Sequence, residues 1–138
     1  MQRLYWQKSD LALLLLRVSF GLMMMVHGWQ KLGKFSQMSQ TFADPFGLGP
    51  APSLALAIFA EFFCSILLVV GFLTPLALAP LLVTMLVAIF YAHGADPWQK
   101  KELAVAYLSV YVTLMFSGAG RYSLDYLLFG SRRLLSTR

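Results

Sequence analysis

Apolar residues run almost unbroken through four stretches of this chain, and the breaks between them are rich in Gly, Pro and charge. The first stretch is Leu11–Leu32, close to the roughly 20 residues an α-helix needs to cross a hydrocarbon core of about 30 Å. Ser9 or Asp10 is a natural N-cap, so a helix is expected over 10–32. Pro50-Ala51-Pro52-Ser53 opens the second stretch, Leu54–Leu73, and predicts a helix over 53–73 with Ser53 as its cap. A tight uncharged turn, Gly71 to Pro75, leads to a third helix over 75–93, with Thr74 as cap and Pro75 at the first helical position. Pro80 predicts a mild bend in it. Asp96 followed by Gln99 reads as a capping box for a fourth helix over 97–117, stopped by Gly118-Ala119-Gly120. Residues 123–129 read as a short interfacial helix. The connection Gly33–Pro52 is long, and Met38, Phe42, Phe46 and Leu48 recur in it at helical spacing, so part of it is expected at the membrane interface.

Composition agrees with the pattern. A chain of 138 residues is one domain, 1–138. Hydrophobic residues make up 59% and charged ones 12%, against about 45–50% and 25% in soluble domains. Such a chain lacks the polar surface to cover a water-soluble globule, and a bilayer removes that need. The expected fold class is an all-α membrane protein: a four-transmembrane-helix antiparallel bundle with a long first outer loop and a short C-terminal interfacial helix. The first span outruns a signal-peptide core and has no small-residue cleavage site, so it is expected to be retained. Four crossings put both termini on one side. That side carries Arg3, Lys8, Arg121, Arg132, Arg133 and Arg138, against Lys31, Lys34, Lys100 and Lys101 opposite, which favours cytoplasmic termini. Arg132-Arg133 is expected against anionic headgroups. The net charge of +5 is scattered between apolar runs, and no nucleic-acid partner is expected. Cys64 is the single cysteine, which excludes an intrachain disulfide, a CxxC pair and a cluster held by this chain alone.

Charges inside the spans are where chemistry is to be sought, because an intramembrane charge is costly and needs a partner. Arg17 and Glu61 are the two that lie deepest, and their estimated depths predict an ion pair between the first and second helices. Small and polar residues share one face of each helix: Arg17, Gly21, Met24 and Gly28 in the first; Ala57, Ala60, Glu61, Cys64 and Gly71 in the second; Ala77, Pro80, Thr84 and Ala88 in the third; Glu102, Ala106, Ser109, Thr113 and Ser117 in the fourth. A polar bundle interior is expected from them. His27, Trp29, His93, Trp98 and Glu102 fall at the outer ends of their helices and, with Glu61, surround an expected outward-facing pocket. Glu61, His27 and His93 are the candidates for proton exchange, and Arg17, Lys31, Glu102, Trp29 and Trp98 for ligand binding. His27, His93, Glu61 and Glu102 have metal-binding chemistry but no close-spaced ligand pair, so no metal is expected.

Five segments carry a family resemblance: LLRVSFGLMMMVHGWQKL (Leu15–Leu32), AEFFCSILLVVGFLTPLA (Ala60–Ala77), VAIFYAHG (Val87–Gly94), ELAVAYL (Glu102–Leu108) and SGAGRYSLDYLL (Ser117–Leu128). In these the chain resembles the DoxX family of small four-helix bacterial membrane proteins, and the resemblance implies a bacterial inner-membrane location. That family includes subunits linked to thiosulfate:quinone oxidoreductases and members described as oxidoreductases. Arg17, His27, Lys31, Glu61, His93, Glu102 and Asp125 fall on its polar positions, and a quinone or quinone-like ligand between the helices is implied by the resemblance. The sequence holds no flavin, nucleotide, haem or cluster motif. No intrinsic cofactor is therefore expected, and the electrons of any redox step come from a redox partner protein or from the bound molecule. The leading expectation is a redox-associated subunit binding a quinone or small aromatic molecule. Its alternatives are a non-catalytic partner or assembly factor and a small proton-coupled transporter, with a homodimer supplying the helices that four alone lack.

Overall fold

Helix α1 runs from Gln2 to Gly33, 32 residues in a computed structural model that describes the backbone of residues 2–130 and the side chains of residues 8–130. Arg132, Arg133 and Arg138 of the expected basic tail lie outside the described residues. The helix starts well before residue 10, so neither Ser9 nor Asp10 is its N-cap. Asp10 instead takes the Arg121 backbone N–H at 3.0 Å and pairs with the Arg121 guanidinium at 3.5 Å.

A single turn, α2 (Phe35–Met38), follows α1, and the connection then closes on Asp44. The Asp44 carboxylate accepts the backbone N–H groups of Leu48 and Gly49 and the Ser53 hydroxyl, each within 2.9 Å. Ser53 is thereby spent on the loop rather than on a cap, and α3 begins earlier, at Pro50, and runs to Val70. Proline at the first position fits, since that N–H has no intrahelical partner. The middle of α3, Phe59–Cys64, is π-helical.

Gly71 ends α3 in a left-handed conformation (φ 69°), and the Phe72 N–H reaches Leu67 C=O at 3.0 Å while the Gly71 N–H reaches Leu68 C=O at 3.1 Å. This is the Schellman closure that glycine favours. Leu73 also carries a positive φ, 48°. The next helix, α4 (Thr74–Ala92), is capped from a distance: the Asp125 carboxylate accepts the N–H of Leu73 at 2.7 Å and of Thr74 at 2.9 Å. Thr74 itself lies inside the first turn and does not cap it. Helix α4 closes in a π turn, Ala88–Ala92, and α5 spans Trp98–Ser117 with Pro97 at its N-cap. The Asp96 side chain turns back to His93, so the expected capping box does not form. A last π turn covers Tyr126–Gly130.

Residues 8–33 of α1, α3 and α4 are each long and apolar enough to cross a membrane. Helix α5 has 20 residues but opens on Lys100, Lys101 and Glu102. The core is where these helices meet: Met24, Cys64, Leu68, Leu78, Leu81, Met85, Tyr107, Tyr111 and Leu114. One expected face is reversed. Glu102, Ala106, Ser109, Thr113 and Ser117 of α5 are exposed, and Tyr107, Tyr111 and Leu114 are buried in their place. Ser109, Thr113 and Ser117 each donate to the carbonyl four residues earlier, so the helix satisfies its own hydroxyls. The inward face is left to aromatic rings that bury far more area.

Candidate functional site

The site starts with close contact between α1 and α3. A Cβ on Gly28 would lie 2.6 Å from the Phe62 backbone N, so only glycine lets the π segment approach this near. As the chain rises along α1 from Arg17 to Gly28, its partners on α3 fall from Val69 to Glu61. Residues 17, 21, 24, 28 and 31 lie on one helical face, so the next side chain to meet α3 beyond Gly28 is Lys31. Its Nζ donates to both Glu61 oxygens at 2.5 Å. Glu61 is 3% exposed. The Lys31 side chain keeps 26% of its surface, so the pair is buried at the carboxylate and reachable at the ammonium.

The π segment adds a residue to the turn, and such segments recur at functional sites. Here it carries Ala60, Glu61 and Cys64 inward. Facing them from α5 are Tyr107 and Tyr111, whose rings lie 5.8 Å apart. The half-buried His27 ring meets Tyr107 edge-on at 6.1 Å, and Phe20 meets it at 5.4 Å. Both phenols are buried within the field of the Glu61 carboxylate, and neither hydroxyl has a hydrogen-bond partner among the described residues. The assembly is one carboxylate, one ammonium, one imidazole and two phenols, with the carboxylate and the phenols buried and the other two partly exposed.

Arg17 does not join it. Buried to 1% exposure, it donates from Nε to Val69 C=O at 3.3 Å, and from its two terminal nitrogens to Ala119 C=O and Tyr122 C=O at 2.5 Å. The expected Arg17–Glu61 pair is therefore corrected to Lys31–Glu61. Eleven helical residues separate Arg17 from Gly28, the level of Glu61, or roughly 16 Å at 1.5 Å per residue, beyond the reach of a guanidinium. Gly71 makes room for Arg17, since a Cβ there would sit 2.6 Å from its Nη1. The guanidinium ties α1 to the end of α3 and to the segment after α5, and Asp125 beside it caps α4. All three guanidinium nitrogens donate to backbone carbonyls.

Four other expected residues also stand elsewhere. His93 Nδ1 lies 2.8 Å from Asp96 Oδ2 in the α4–α5 turn, with Lys100 3.8 Å from the same oxygen. The hydrogen bond from His93, with Lys100 nearby, holds the Asp96 carboxyl below the usual carboxylate range. Trp98 and Glu102 are exposed on α5. Trp29 is 62% exposed, its ring 5.7 Å from Phe62. Among the described residues, none of the four makes a hydrogen bond or ion pair with Glu61 or Lys31. An apolar groove of about 410 Å³ runs between Phe46 and α4, lined by Val83, Leu86, Val87, Phe90 and Tyr91. The Tyr91 hydroxyl at its edge donates to Asp44 C=O at 3.2 Å.

Sequence reasoning brought His27, Lys31 and Glu61 forward but missed Tyr107 and Tyr111. Their four-residue spacing in AYLSVYV was the available signal. The hydroxyl stripe beside it, Ser109, Thr113 and Ser117, is the more polar face by sequence and masks that signal. Comparison with curated proteins and with solved structures finds no match to this chain. The DoxX family model, in contrast, matches residues 12–94, which include α1 from Ala12 onward, the Lys31–Glu61 pair and all of α4. Covering more than half of the 138 residues, this match shows that the chain belongs to the DoxX family.

Proposed function

We propose that this DoxX protein is a redox-associated membrane subunit that holds the head group of a quinone or similar small aromatic molecule at the Lys31–Glu61 pair. The observation that carries the reading is a buried carboxylate on a π-helical segment, joined by a reachable ammonium and faced by two buried, unpartnered phenols. The donors suit an acceptor oxygen: Lys31 offers a charge, Tyr107 and Tyr111 offer neutral O–H groups, and His27 is beside them. Glu61 and His27 are the groups able to exchange protons with the bound molecule. Under this proposal a partner oxidoreductase provides or removes the electrons. In this reading α5 makes a fourth crossing and completes an antiparallel bundle in a bacterial inner membrane, with cytoplasmic termini and the Lys31 end outward.

The test is mass spectrometry of the quinones and other aromatics that co-purify with wild type, Glu61→Gln and Glu102→Gln. Wild type and Glu102→Gln are expected to retain the same molecule, and Glu61→Gln to lose it by about tenfold, the equivalent of one lost interaction of 1.4 kcal/mol. Equal retention by all three, or no retention by wild type, would overturn the reading.

A further inference from the structure

Ser65, Tyr107 and Tyr111 are buried to 1% exposure or less, and their hydroxyls have no partner among the described residues. Ser65 follows Glu61 by one turn on the inward side of α3, and both phenols are buried on α5, their rings 5.8 Å apart, within the field of the Glu61 charge. Around the rings Phe20 and Met24 of α1, and Cys64 and Leu68 of α3, carry no side-chain oxygen to accept from a phenol. A buried unpaired hydroxyl is costly. The usual remedy is a bound water with two to four polar contacts, and two neighbouring buried phenols near the Glu61 charge offer such contacts. Further along the helices apolar side chains come next, before the buried Arg17 and Thr74 at the other end. Leu68, Leu78, Leu81 and Leu114 are all fully buried and belong to one apolar cluster of the interior. In the other direction the partly exposed Lys31 side chain leads out at the end of α1.

We propose that Glu61, Tyr107 and Tyr111 hold bound water in a spur that opens past Lys31 and ends on the cluster of Leu68, Leu78, Leu81 and Leu114. Through this spur Glu61 exchanges protons with one face of the membrane only. The inference goes beyond the quinone reading and does not need it, because the water is held by the protein alone.

Solid-state NMR of the bilayer-embedded protein, labelled with ¹³C in tyrosine and leucine, tests it by following magnetisation transferred from water. No quinone is added, and Tyr107→Phe and Tyr111→Phe serve to assign the two rings. Should either variant not fold, sequential assignment of uniformly labelled wild type identifies the same signals. Tyr107 and Tyr111 are expected to build up nearly as fast as the exposed Tyr122, and Leu78 and Leu114 several times more slowly. Phenols as slow as those leucines would overturn the bound water. Leucines as fast as the phenols would overturn the closed end.

Discussion

Replacing Lys31 by Ala leaves the Glu61 carboxylate buried without its counter-charge. Breaking one side of such a pair costs about 3–5 kcal/mol, whereas exchanging both members for apolar side chains is often neutral. Unfolding in detergent micelles is therefore expected to show Lys31→Ala strongly destabilised and the double variant Lys31→Met/Glu61→Met close to wild type. Arg17 gives the opposite contrast. Its planar fork serves carbonyls from two separate segments, which a lysine ammonium cannot span. Arg17→Lys is expected to lose on the order of 1–3 kcal/mol for the acceptors left unpaired, with no change in the molecules that co-purify. That the two charges are buried was legible from the sequence. Which partner each takes was not, because partner choice depends on the register of two helices. The face Arg17, Gly21, Met24, Gly28 already contained the answer, and one further step along it arrives at Lys31.

The elements owe their positions to a few backbone constraints. Gly28→Ala would push α1 off the π segment, at an expected cost of about 1–3 kcal/mol for forced overpacking. Gly33→Ala, at the open end of the same helix with nothing within 4 Å, is expected to cost nothing in the same unfolding experiment. The connection before α3 depends on Asp44, whose carboxyl is held below its ordinary value first by the Gly49 N–H, then by Ser53 and Leu48. A carboxyl lowered by folding stabilises above its unfolded pKa, and that contribution is lost as pH falls through the lower folded value. Hydrogen-exchange protection of the Leu48 and Gly49 amides is thus expected to hold near neutral pH and to fade below about pH 4. Asp44→Asn would weaken it at all pH values. The four long helices were legible to within a few residues, apart from the start of α1. Their caps were less so, since Asp125 caps α4 from some fifty positions away and Asp96 turns back to His93. Long-range caps leave no local pattern to read.

At the scale of the molecule, polar groups divide between the two ends of the helices. Arg17, Asp125, Asp10 and Arg121 fasten the end near the termini, and each is committed to the backbone or to a neighbour. The Lys31 end holds groups with capacity left over: two phenols without a partner among the described residues, a half-buried imidazole and an ion pair with one partly exposed side. The family and its helical membrane character were legible from apolar runs and shared segments. The inward tyrosines were not, because α5 carries polar residues on both faces and only packing decides which turns in. Binding of a short-chain quinone in detergent, by wild type and by Lys31→Met/Glu61→Met, puts the assignment of this end to the most direct test. Wild type is expected to bind and the equally stable double variant to fail. Equal binding by both proteins, or by neither, would contradict it.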